Sequence, residues 1–262
     1  MDLGIEGDKA LVTGSSSGLG YASAEALAKE GADVVINGRD EKKLKKAVEE
    51  LRKTASGEVI GISADLSDRE EMIELVDGTI EEFGTIDHLV TCVGGPPSKR
   101  FMETEDEEWD AAYDTLVMSV VRLVQETKEY LEDGGGTIVN ITSISVKESI
   151  DDLVLSNSVR MGVIGLMKTL SRELSPEIRV NAVLPGYTET DRVEELIERS
   201  IKRGDIENYQ EGLDDLSKNT PLERIGQPEE LGDVVAFLSS ERASYINGAA
   251  IPVDGGWSRS NL

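Results

Sequence analysis

The chain is poor in the residues that build covalent or metal-held frameworks. It has one cysteine, Cys92, and one histidine, His88, in 262 residues. A single thiol excludes an internal disulfide, and a single imidazole excludes a histidine-based metal cluster. No run of about 18 apolar residues occurs, which argues against a membrane-spanning helix. The opening MDLGIEGDKALV lacks a basic region followed by an apolar stretch, so no export signal is expected and the expected location is the cytoplasm. Basic residues are also scarce beside acidic ones, 27 against 52, for a net charge of −25. Such a surface repels phosphate backbones and anionic lipid, so neither nucleic acid nor membrane is an expected partner. The acidity suits solubility, including in a salty cytoplasm.

What is present is enough apolar material for a core: 39% hydrophobic against 30% charged residues excludes a wholly disordered chain. Short Val- and Ile-rich runs alternate with longer helical patterns. Lys9–Thr13, Asp33–Asn37, Val59–Ser63, His88–Cys92, Thr137–Thr142, Arg179–Leu184 and Ala249–Val253 read as strands. Gly18–Glu30, Glu41–Thr54, Asp68–Phe83, Asp106–Glu132 and Leu153–Leu174 read as helices. Strands separated by helices of ten or more residues imply right-handed crossovers and a mainly parallel sheet. The strands are apolar with little alternation, as expected for a sheet covered on both faces. No proline-rich linker divides residues 1–262, which read as one domain. The charged segment 190–220 has no strand and follows the sixth one, at the carboxyl edge of the sheet. That position suits a lid over a site.

The first strand runs straight into Thr13-Gly14-Ser15-Ser16-Ser17-Gly18-Leu19-Gly20. Glycines there allow a tight turn and a close approach of ligand phosphate to the backbone, while the following helix offers free N–H groups and its positive end. A glycine triplet means little alone, but its place between the first strand and first helix is the required context. After the second strand comes Asn37-Gly38-Arg39-Asp40. An acidic side chain ending this strand would hold both ribose hydroxyls and repel a 2′-phosphate. Arg39 can instead pair with such a phosphate. This favours NADP as cofactor, with NAD the alternative if Asp40 turns to the ribose rather than capping the next helix.

The loop TGSSSGLG resembles the TGxxxGxG loop of the short-chain dehydrogenase/reductase family, and the resemblance extends over nearly the whole chain. Asp65 and Leu66 in SADLSD resemble the family's segment beside the adenine ring. Residues 179–190, RVNAVLPGYTET, resemble its RVNxVxPGxxxT segment, where Pro185, Gly186, Thr188 and Thr190 would meet the nicotinamide carboxamide. GAAIPVDGGW at 248–257 resembles its final strand and terminal loop. The resemblance implies an α/β, single-domain, Rossmann-type doubly wound parallel sheet of seven strands with helices on both faces. It also implies cofactor contacts at Gly14, Ser16, Ser17, Gly18, Leu19, Gly20, Arg39, Val93, Gly94 and Arg160, and no metal.

The catalytic set departs from the family pattern, in which a tyrosine transfers the proton, a lysine assists it, a serine positions the substrate and an asparagine holds a relay water. Ser143 keeps the serine. LSNSVR at 155–160 puts Ser156 and Arg160 where YxxxK belongs, and Leu116 stands at the asparagine position. NNAG after the fourth strand has become Thr91-Cys92-Val93-Gly94. The pattern resembles an atypical branch related to β-ketoacyl-carrier-protein reductases. Ser156 and Arg160 are four apart and share a helix face. A serine is shorter and a far weaker acid than tyrosine, whose reference pKa is about 10. Arginine keeps its charge and does not release its proton at working pH. Ser143, Ser156 and Arg160 are thus the catalytic candidates, with Lys147, Tyr187 and Cys92 as other proton sources.

Two functions are compatible with this reading. One is an NAD(P)-dependent oxidoreductase with a non-standard catalytic set, acting on a small carbonyl or hydroxyl compound that Arg160 would favour as an anion. The alternative is an NAD(P)-binding sensor or assembly protein without turnover. The resemblance implies a homotetramer through the helices 106–132 and 153–174, with Met118, Val121, Val163, Leu166 and Leu170 as apolar surface.

Overall fold

Strand β1 (Lys9–Val12) is an interior strand, third in a seven-stranded sheet of order β3-β2-β1-β4-β5-β6-β7, with β2 Asp33–Gly38, β3 Val59–Ser63, β4 His88–Thr91, β5 Thr137–Ile141, β6 Arg179–Pro185 and β7 Ala250–Val253. Every neighbouring pair is parallel. The computed structural model describes residues 2–261. The strand order reverses between β1 and β4, and a crevice outside the carboxyl ends of strands opens at such a point.

The two faces of the sheet carry separate cores, which is why the strands read as nearly continuous apolar runs. On one side, Val12, Val34 and Ile36 pack with Leu27 of α1 (Gly18–Lys29), Leu44 and Leu51 of α2 (Glu41–Leu51), and Leu231 and Val235 of α9 (Pro228–Ser239). On the other, Leu11, Leu89 and Ile138 pack with Met72 and Leu75 of α3 (Arg69–Phe83), Leu123 of α5 (Ser119–Gly134), and Val159 and Met167 of α6 (Val154–Glu173). His88 is a strut in this framework: its ring nitrogens meet Thr137 Oγ1 at 2.9 Å and Asp8 Oδ2 at 3.0 Å.

Three features depart from the sequence expectation. The helix expected over 106–132 is interrupted. It runs as α4 (Asp106–Tyr113), a π turn (Asp114–Met118) and α5, with the Ser119 N–H donating to Asp114 O, one residue further back than in an α-helix. Helix α9 was not anticipated, although Pro228 at its first turn and the Gln227/Glu230 capping box are start signals. Val163 offers no surface for assembly, because it is buried inside the chain against the core. The lid contains two helices, α7 (Asp191–Arg203) and α8 (Tyr209–Lys218). Among the described residues, no helix is long and apolar enough to cross a membrane.

Candidate active site

The glycine loop is tied to its neighbours by polar groups at the strand ends. Thr13 donates its hydroxyl to Cys92 O at 3.0 Å and accepts the Cys92 N–H at 2.9 Å, which joins the loop to the end of β4. Gly14 has φ +54°, and a Cβ there would lie 2.4 Å from Cys92 O. A Cβ on Gly20 would lie 2.4 Å from Gly14 O, so only glycine lets α1 close onto the loop. Asn37, which the sequence reading left without a role, accepts the Gly14 N–H at 3.3 Å and donates to Ile62 O and Ala64 O. Its signal in the sequence was an amide at the end of an apolar strand.

The start of α1 is open. Ser17 makes no capping bond through its side chain, and the first turn holds no acid. The N–H groups and the positive end of a 12-residue helix therefore face the loop uncompensated, an arrangement suited to phosphate.

At the ends of β2 and β3, the alternatives for Asp40 resolve. Its carboxylate caps α2, accepting the N–H groups of Lys42 and Lys43 at 2.9 and 3.0 Å. Arg39 is 77% exposed and lies 3.5 Å from Asp65. The Ser67 N–H, followed by its hydroxyl and by Arg39, holds the Asp65 carboxyl below its usual range against the opposing effect of burial. Ser16 lies against Gly38, and Leu66 is buried in the core. These residues, with Gly20, stand away from the central cleft.

That cleft has a volume of about 440 Å³ and opens outside β1, β4, β5 and β6. Gly14, Ser17, Gly18, Leu19, Val93 and Gly94 line one side. Ser143, Ser156 and Arg160 line another, and Pro185, Gly186, Thr188 and Thr190 come in beneath the lid. Ser143 Oγ accepts the Ser145 N–H at 3.1 Å. Ser156 Oγ is 3.1 Å from Ser145 Oγ, a contact the sequence did not reveal.

Arg160 is 7% exposed, and its Nε is buried without a hydrogen-bond partner. Burial draws its pKa down to about 10; Cys92 opposes that shift and Arg192 adds to it. The guanidinium is still a cation at neutral pH, and no carboxylate pairs with it, although Asp191 and Glu195 also line the cleft on the lid side. Of the other proton sources considered, Lys147 does not line the cleft. Cys92 does, but burial pushes its thiol up to about 11. Tyr187 packs edge-on against Trp257, with its pKa raised by burial and by Asp151. Leu116, fully buried in the π turn, belongs to the core and not to the cleft. Arg192, also unforeseen, donates to Pro96 O at 2.9 Å and Ser98 Oγ at 2.8 Å, tying α7 to the segment after β4.

Known proteins share this fold. A family model described as enoyl-(acyl carrier protein) reductase matches residues 14–258. Tropinone reductase-like 3 of Erythroxylum coca is 33% identical over 254 residues, covering 96% of this chain and 93% of its own. The 3-oxoacyl-(acyl-carrier-protein) reductase FabG of Staphylococcus epidermidis is 34% identical, covering 94% and 97%. The L-sorbose reductase of Gluconobacter frateurii, solved with NADPH and L-sorbose, superimposes with a TM-score of 0.94 at 33% identity, over 99% of this chain and 100% of that one.

The chain belongs to the short-chain dehydrogenase/reductase family.

As in a short-chain dehydrogenase/reductase generally, hydride chemistry needs a nicotinamide dinucleotide, and the residues present fit one. The α1 terminus is open to phosphate, Gly14 and Gly20 keep the loop clear, and Arg160, its Nε unpartnered, lines the same cleft as the loop.

Proposed function

We propose that this protein is an NADP-dependent oxidoreductase for an anionic carbonyl or hydroxyl compound, working with Ser143, Ser156 and Arg160 in place of the usual family set. The carrying observation is Arg160. A buried cation without a partner is costly, and a ligand hydroxyl, carbonyl or carboxylate is what would compensate it.

In this reading the backbone N–H groups of Ser16, Ser17, Gly18 and Leu19 hold the diphosphate, and Arg39 meets the 2′-phosphate. The capping role of Asp40 and the NADPH in solved relatives such as actinorhodin polyketide ketoreductase support that choice. Asp65 and Leu66 border the adenine; Val93, Gly94, Pro185, Gly186, Thr188 and Thr190 frame the nicotinamide. When bound, the nicotinamide supplies or accepts the hydride. Ser143 orients the substrate oxygen. Arg160 binds the ribose hydroxyls or a substrate carboxylate and keeps its own proton. The proton comes from cleft water. We take residues 1–262 as one domain, with 190–220 as the lid.

The test is cofactor oxidation over a panel of ketones, aldehydes and 2-oxo acids. Turnover confined to acids supports the proposal. Tight NADPH binding with no turnover across the panel would favour the non-catalytic sensor or assembly protein, a reading to which the bonding of Ser156 to Ser145 lends support.

A further inference from the structure

We propose that a second cavity, between the two lid helices, is a subsite for an aliphatic tail, so that the substrate is an elongated amphiphilic acid. This rests on the reading above, in which the reacting carbonyl and its charged neighbour lie in the central cleft.

The cavity measures about 250 Å³ and lies between α7, α8 and residues 150–153. Its apolar lining comes from Ile150, Leu153, Leu196, Ile197, Ile206 and Leu216. Ile150, Leu153, Leu196 and Tyr187 also line the central cleft, so the two spaces share a wall of side chains. A chain attached to a carbonyl in the cleft would cross that wall into the second space.

Charged residues also border the cavity, Asp151 among them, and the others bond to protein. Arg203 pairs with Asp152, Arg199 donates to Ser98 O at 3.1 Å, and Asp215 lies 3.6 Å from Lys218. What they leave between them is largely hydrocarbon. The space opens to solvent on one side, so hydrocarbon laid in it would displace water from its apolar lining. A space of this size has room for several carbons.

The lid is also pinned so that the space persists. Along α7, Arg192 holds Pro96 and Ser98, Arg199 holds Ser98 again, and Arg203 holds Asp152. Asp152 is in turn paired with Arg100 at 2.8 Å. These ties span the length of the helix. Collapse of α7 into the cavity would break them.

The experiment titrates the whole protein, with and without NADPH, with straight-chain alkanoates from acetate to octanoate, read by calorimetry. Affinity should rise about fourfold per methylene until the cavity is filled. Leu216→Trp should flatten that rise, and Leu216→Ala should extend it to longer chains. Ile206→Trp repeats the filling from the other side should the first variant fail to fold, as judged by its melting curve. An absent length dependence in the unmodified protein, or an equal one in the filled variants, overturns the proposal. Failure of the oxidoreductase reading has a different signature: no cofactor oxidation with 2-oxo acids of any length, whatever the alkanoates do.

Discussion

Ser156 and Ser145 hold their hydroxyl oxygens 3.1 Å apart, and both side chains are buried. The hydroxyl of Ser156 on α6 is thus bonded within the protein, while the Nε of Arg160, one turn further on, has no hydrogen-bond partner. A phenol at position 156 would extend past Ser145 into the cleft. The tyrosine mechanism therefore needs more than one change to be restored.

Restoring tyrosine alone should accomplish little, because Arg160 does not relay protons. The double change Ser156→Tyr and Arg160→Lys should raise ketone reduction by roughly 10²–10⁴-fold, the usual contribution of general acid catalysis, with Leu116 left in place because it lies in the core and not in the cleft. Steady-state rates with simple ketones measure this. Ordinary family rates in the unmodified protein would show that another group already delivers the proton.

Arg160→Met should separate stability from binding. Replacing this buried cation by the uncharged thioether of methionine should stabilise the cofactor-free chain, since the unpartnered Nε no longer has to be kept out of water. The same change should weaken NADPH binding. Melting curves with and without cofactor measure both effects, and a lower melting temperature without cofactor would mean that Arg160 has a compensating partner in solution.

Arg39 is exposed and only loosely held by Asp65 at 3.5 Å, so a 2′-phosphate can draw it away. Arg39→Ala should weaken NADPH several-fold and leave NADH nearly unchanged. An equal loss of both would make Arg39 structural. Asp65→Asn should shift the preference further toward NADPH by removing the competing carboxylate.

For assembly, the open face of the helices is at Tyr113 and Met161, 52% and 50% exposed, and not at Val163. We expect a homotetramer, or a dimer on the same helices, that strengthens with salt because a net charge of −25 repels itself at low ionic strength. Light scattering over a salt series reads this directly; a monomer at high salt and micromolar protein would refute it.

Much of the architecture was legible in the residue order. Strand and helix periods are local properties, and seven apolar runs separated by helical stretches lead to a parallel sheet. The loop at 13–20 was legible for the same reason, since its glycines and the helix after it are adjacent in the chain. The π turn around Leu116 was not, because its residues read as ordinary helix and only their packing between α4 and α5 widens the turn.

The sequence by itself determined the sheet, the glycine loop and the identities of Ser143, Ser156 and Arg160. Tertiary structure alone decided what those groups face. Asp40 could cap a helix or hold a ribose until the α2 N–H groups were seen on it. Arg160 could have had a carboxylate until the fold left its Nε bare. The lid cavity exists only because residues 150–153, α7 and α8, far apart in the chain, enclose it. Partnership and enclosed space depend on long-range neighbours, which local pattern does not encode.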